Sequence, residues 1–178
     1  KTIVRFGLGY APNDGQALYQ FLRDKGYNQQ ELDASGLFKR SASGRIYCLF
    51  WKRVMTPIFD LRGNIIAFGG RVMDDSKPKY VNSPETLVYH KSETVFAMQI
   101  AKRSASRRFV LCEGYMDVIS MQQAGIDTAV CACGTALTPD QVKLISQYAD
   151  EVILSYDSDE AGQKATLRSL ELFRNSPV

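Results

Sequence analysis

The stretch Phe109-Val110-Leu111-Cys112-Glu113-Gly114-Tyr115-Met116-Asp117 decides the reading of this chain. A short apolar run ends on a glutamate, a glycine allows a tight turn, and an aspartate falls in the first turn of the helix that should follow. Further on, Val152-Ile153-Leu154-Ser155-Tyr156 leads in the same way into Asp157-Ser158-Asp159-Glu160-Ala161-Gly162. Around these two junctions the periodicity alternates: strands over 109–112, 128–131 and 151–156, helices over 116–124, 139–148 and 160–173. Such alternation predicts an α/β fold, a parallel sheet with helices on its faces. Thr138-Pro139-Asp140-Gln141 supports the register, with Thr138 as N-cap, Pro139 at the first helical position and Gln141 completing a capping box.

Working back toward the amino end, the character changes. Ala17, Leu18, Phe21 and Leu22 fall at helical spacing, with Gly26 closing that helix; a second short helix is expected over 29–34, ended by Ser35-Gly36, and 41–44 is a turn. Residues 46–59 read as one strand and 65–72 as its hairpin partner across Leu61-Arg62-Gly63-Asn64, with Pro57 making the first strand an edge or bending it. Residues 74–84, holding Pro78 and Pro84, read as an exposed loop, and 92–105 as a helix whose basic tail includes Arg107 and Arg108. The whole therefore reads as a parallel α/β lobe beside a smaller mixed α+β lobe, divided at about residue 106.

In open α/β sheets the functional crevice lies at the carboxyl ends of the strands. Here two of three such ends are acidic, so Glu113, Asp117, Asp157 and Asp159 should converge. Four carboxylates in one place repel one another unless cations neutralise them, and hard oxygen donors select Mg²⁺ or Mn²⁺. Asp157 and Asp159 can also be read as plain caps of the final helix. Zinc is not expected: the four cysteines, Cys48, Cys112, Cys131 and Cys133, contain no Cys-x₂-Cys pair, and His90 is the only histidine. Buried reduced thiols are the better reading.

Charge divides along the same line. Residues 1–108 hold 18 Lys and Arg against 9 Asp and Glu, whereas 109–178 hold 4 against 10. A basic half beside an acidic half suits a phosphate polymer gripped by cations while chemistry proceeds on metals held by carboxylates. At 178 residues, 45% apolar and 23% charged, the composition is that of a globular protein. No stretch is apolar enough for a membrane span or patterned as a signal peptide, and the first residue is Lys1, so a cytoplasmic fragment of something longer is expected.

Glu113-Gly114-Tyr115-Met116-Asp117 with Asp157-Ser158-Asp159 resembles the Toprim module of primases, topoisomerases and some nucleases. Outside it, Arg53-Val54-Met55-Thr56-Pro57-Ile58, Gly69-Gly70-Arg71, Pro78-Lys79-Tyr80-Val81-Asn82-Ser83-Pro84-Glu85-Thr86 and Tyr89-His90-Lys91 resemble DnaG-type primases in the same order. The resemblance implies a DNA-directed RNA polymerase that makes primers for replication. It makes Glu113 the acid-base residue, Asp117, Asp157 and Asp159 metal ligands, and places Arg5, Arg53, Arg71, Lys79 and Lys91 in a groove for single-stranded DNA and ribonucleoside triphosphates. It also implies a replicative helicase as partner, through a carboxyl-terminal module beyond this chain. Two departures stand out: Cys48-Leu49-Phe50-Trp51 replaces an arginine-rich stretch, and Ser158 replaces a glycine. The chain also ends before the family's further acidic pair. A catalytically incomplete metal- and nucleic-acid-binding fragment and a Toprim nuclease are therefore the alternatives.

Overall fold

The computed structural model describes residues 1–134, 136–174, 176 and 178. They form two compact units, one of residue 1, 3–57 and 66–89, the other of 58–65 and 90–178 with residue 2.

In the first unit, α1 (Thr2–Phe6) is followed by β1 (Gly9–Ala11), α2 (Ala17–Asp24) and α3 (Gln29–Ala34). Gly26 at φ +93° follows α2 and Gly36 at φ +68° follows α3, left-handed positions that glycine fills without strain. Asn28 caps α3, its side chain accepting from the Glu31 amide while Glu31 bonds back to the Asn28 amide. β2 (Phe38–Arg40) and β3 (Ile46–Cys48) form an antiparallel pair across the turn at 41–44. A four-stranded sheet then takes β4 (Arg53–Phe59), β5 (Ile65–Val72) and β6 (Tyr80–Asn82) in the order β1-β4-β5-β6.

Three expectations change. The single strand over 46–59 is two strands, because the Leu49 amide bonds to Leu37 O, the Lys52 amide to Pro12 O, and Lys52 takes φ +52°. The loop over 74–84 contains β6, whose Gly69↔Asn82 and Arg71↔Tyr80 pairing extends the sheet. Pro57 sits in β4 beyond the residues that β1 pairs, Arg53 to Met55, so on that side it stands at an edge.

In the second unit the third change appears. The helix expected over 92–105 is β7 (Val95–Phe96) and the short α4 (Met98–Ala101), with Ala97 at φ +64° between them. β7 pairs antiparallel with β9, an association no local pattern announces. The basic tail serves elsewhere too, as Arg107 pairs with Asp150 and Arg108 with Glu151. After this the alternation is as read: β8 (Arg108–Cys112), α5 (Tyr115–Gln123), β9 (Ala129–Ala132), α6 (Pro139–Ser146), β10 (Glu151–Ser155) and α7 (Glu160–Phe173). The sheet order is β10-β8-β9-β7, with β8 parallel to both β9 and β10.

The core of this unit is built on Phe109, Leu111 and Val130 from the sheet, with Val142, Ile145 and Phe173 from the helices. Burying side chains of this size contributes roughly 1.5–3 kcal/mol each. The Thr138 cap holds as read, its hydroxyl accepting from the Gln141 amide at 3.2 Å. Gln141 does more than complete that box: its side-chain amide donates to Lys91 O at 2.7 Å and Thr94 O at 2.8 Å, tying the segment before β7 to α6. All four cysteines are buried, and none is in a disulfide among the described residues. Among the described residues no helix is long and apolar enough to cross a membrane.

Candidate functional site

Parallel pairing sets Cys112 beside Ser155 at the ends of β8 and β10. The two acidic turns therefore leave the sheet side by side, and Glu113 Oε2 accepts the Asp157 amide at 3.1 Å. Asp117, in the first turn of α5, accepts the Gly114 amide through Oδ2 at 3.0 Å. Asp159 caps α7, its Oδ1 accepting the Gly162 amide at 2.8 Å. The Glu113, Asp117 and Asp159 carboxylates are thus each oriented by a backbone N–H close to a helix start, where negative charge is favourable, while Asp157 contributes its amide to Glu113.

Gly162 is the residue that sequence reasoning underrated. A Cβ there would stand 2.0 Å from the Asp157 carbonyl oxygen and 3.0 Å from its nitrogen. Only glycine lets the Asp157 turn lie against the start of α7. The signal was present in the sequence as Gly162 just past the paired aspartates, but its meaning lies in a backbone contact that spacing does not display.

All four carboxylates are exposed, and among the described residues none is paired with a lysine or arginine. Glu113 Oε1, Asp117 Oδ1, Asp159 Oδ2 and both Asp157 oxygens remain without a bond among those residues. The neighbours register this negative charge. Burial chiefly, and then the Asp117 charge, push the Cys112 thiol up to about 11. Burial likewise raises the half-buried Tyr156 phenol, whose oxygen lies 3.1 Å from Ser169 Oγ, with Glu113 among the smaller causes. A cavity of about 400 Å³ opens beside Glu113, with Ala132, Leu137, Tyr156, Arg168 and Leu172 in its lining.

Among the described residues, no three His, Cys, Asp or Glu side chains are grouped closely enough to hold a metal ion by themselves. The donors nevertheless fit a hard divalent cation by type, being oxygens only, anionic and unpaired. Such an ion would complete its shell with water and substrate phosphate, as Mg²⁺ does with one or two carboxylates.

The cations of the expected groove divide between the units. Arg5 is exposed in the last turn of α1, and Lys79 is exposed just before β6. Arg71 lies over the Tyr80 ring, 5.7 Å from its centroid, and its Nε donates to the Tyr80 hydroxyl at 3.0 Å. Arg53 is buried, only 4% exposed, its guanidinium donating to the carbonyls of Gly70, Pro78 and Lys79. Lys91 belongs to the second unit and is half-buried.

Residues 1–102 match the family described as DNA primase catalytic core, N-terminal domain, and residues 110–178 match the Toprim-like family. The DNA primase of Clostridium acetobutylicum is 47% identical over 177 residues, 99% of this chain and 30% of that protein. The Escherichia coli primase catalytic core superposes with a TM-score of 0.89 at 39% identity, covering 97% of this chain and 56% of that one. A DnaG primase catalytic domain bound to ssDNA gives 0.87 at 38% identity, with 97% and 56% covered. The chain thus spans about 30% of the length of its curated relatives. Primases and Toprim proteins generally use a divalent metal. Because the amino-terminal primase match alone covers more than half of the residues and the Toprim-like match takes up most of the rest, the chain belongs to the DnaG-type DNA primase family.

Proposed function

We propose that this chain is the part of a primase that joins ribonucleotides on a single-stranded DNA template. The observation that carries the reading is the hydrogen bond from the Asp157 amide to Glu113, which ties together the two strand ends that carry the acidic motifs. Asp117, Asp157 and Asp159 would hold Mg²⁺ or Mn²⁺, which when bound neutralises charge on the reacting phosphates. Glu113 is fixed through Oε2, which leaves Oε1 to take the proton of a primer 3′ hydroxyl. That oxygen then forms its bond to the α-phosphorus of a ribonucleoside triphosphate, and pyrophosphate leaves.

Arg5, Arg71, Lys79 and Lys91 would contact template or nucleotide phosphates, which fixes position without reading bases. In this reading a basic portion up to about residue 106 serves the nucleic acid and the portion from 107 serves the chemistry. The parent enzyme works in the cytoplasm, with single-stranded DNA and ribonucleoside triphosphates as substrates and a replicative helicase as partner through a carboxyl-terminal module. A specific observation favours a second reading, a chain that binds metal and nucleic acid without turning over alone: it spans only about 30% of the length of its curated relatives. A Toprim nuclease would give the Lys79 loop no task.

Nucleotide incorporation on an oligonucleotide template separates these readings, measured for this chain and for one extended past Val178 to the length of its relatives. Synthesis by the longer chain alone supports both the primase reading and the incompleteness of this portion. In that longer chain Glu113→Gln should lower dinucleotide synthesis by about 10²–10⁴-fold, the usual contribution of a general base, with DNA binding unchanged. Near-normal synthesis would remove Glu113 from the mechanism, and template cleavage in place of synthesis would establish the nuclease.

A further inference from the structure

Arg53 differs from the other basic motif residues in being buried, and its surroundings are those of a brace. Nη1 donates to Gly70 O and Lys79 O, each at 3.3 Å, and Nη2 donates to Pro78 O at 2.9 Å. Its methylenes cross Gly70, where a Cβ would stand 3.0 Å from Arg53 Cδ and 2.8 Å from the Phe50 ring. Gly70 is therefore the vacancy through which Arg53 reaches the next strand connection. A guanidinium enclosed in this way and bonded to three backbone carbonyls is not placed to grip a phosphate as well.

The loop between β5 and β6 is fastened at both ends by two consecutive residues. Lys52 Nζ lies 2.7 Å from Asp74 Oδ2, and Asp74 Oδ1 accepts the Ser76 amide at 3.1 Å. The left-handed backbone of Lys52, φ +52°, lets neighbouring side chains serve one loop instead of opposite faces of a strand. At the far end the Lys79 carbonyl accepts from Arg53 and from the Val72 amide at 3.1 Å. Lys79 thus has its backbone held from two sides while its side chain is exposed.

We propose that Arg53 is a positioning residue, a buried fork that acts through Lys79 by holding the 73–79 loop in the conformation that presents the Lys79 ammonium. The fork matters here, since a lysine carries the same charge but cannot span three carbonyls with a planar array of donors. This inference rests on the reading of Lys79 as a phosphate contact, so its test has two arms. The first is amide hydrogen exchange over residues 73–80, which needs no nucleic acid. The second is fluorescence anisotropy of a labelled single-stranded oligonucleotide over a salt series, for wild type, Lys79→Ala, Arg53→Lys and the double variant.

Arg53→Lys should speed exchange in the loop about tenfold or more, leave exchange in β8 unchanged, and flatten the salt slope by about 0.7, one phosphate on a single strand. Lys79→Ala should flatten it equally, and the double variant no further. Gly70→Ala, which reaches the same fork from the other side, should loosen the same loop and keeps the test open if Arg53→Lys folds poorly. Unchanged loop exchange in both variants would overturn the proposal. So would additive slopes for Arg53→Lys and Lys79→Ala, because Arg53 would then have its own phosphate. A loosened loop together with a wild-type slope in Lys79→Ala would uphold the brace and refute the phosphate reading of Lys79.

Discussion

The two units use charge in opposite ways. In the second, the motif carboxylates stand at the surface without a cation among the described residues, and those of Glu113, Asp117 and Asp159 are each turned by one backbone N–H. In the first, the motif arginine Arg53 is inside, bonded to carbonyls, and Lys52 is paired with Asp74. Motif residues at strand ends in a parallel sheet point to chemistry, whereas motif residues within an antiparallel sheet include the framework that displays it. A list of shared residues does not distinguish the two; burial and partners do.

The largest expected effect on this contrast is the loss of synthesis with Glu113→Gln. Next comes Gly162→Ala. With the Asp157 carbonyl oxygen 2.0 Å from the new Cβ, the turn must move, and the cost should reach or exceed the roughly 1–3 kcal/mol of ordinary overpacking. Urea unfolding should show the loss of stability, and titration with Mn²⁺ a loss of affinity. If the units are as separate in task as their chemistry suggests, the salt slope of oligonucleotide binding stays at the wild-type value. A slope altered by Gly162→Ala would break the comparison.

A smaller effect concerns the thiols beneath the carboxylates. The Cys112 thiol is pushed from 9.0 up to about 11, so at neutral pH it is protonated folded or unfolded and has no influence on stability. Between those two values the unfolded chain releases this proton while the folded chain keeps it, so stability falls as pH rises through the window. Cys112→Ser cannot ionise there and should show a shallower alkaline decline in urea midpoints from about pH 8 to pH 11. Burial raises Cys131 and Tyr156 as well, so part of the slope should persist. An unchanged decline would mean that Cys112 is not held neutral.

What could be read in advance follows the range of the forces involved. The helices at 29–34 and 160–173, and the Thr138 cap, are specified by neighbours within a few residues, and the structure has them as read. The strand ends that bring Glu113 beside Asp157 were legible because alternation of β and α implies parallel pairing. The split at Leu49–Lys52, the pairing of β6 and the conversion of 92–105 into β7 and α4 all depend on partners distant in sequence, such as Leu37, Pro12, Gly70 and Cys131. Apolar periodicity near Val95 is as compatible with a strand as with a helix, and only β9 decides. The burial of Arg53 was illegible for the same reason, since Gly70 and Lys79 lie far along the chain.

The most direct test of the account is calorimetric titration of Mn²⁺ into the wild type and into an Asp157→Asn, Asp159→Asn double variant. Asparagine caps a helix as well as aspartate does, so the bond to the Gly162 amide and the start of α7 should be retained while the negative charge is lost. Measurable binding to the wild type and its loss in the variant are expected, with thermal unfolding little changed; equal Mn²⁺ binding by the two proteins would move the metal away from Asp157 and Asp159.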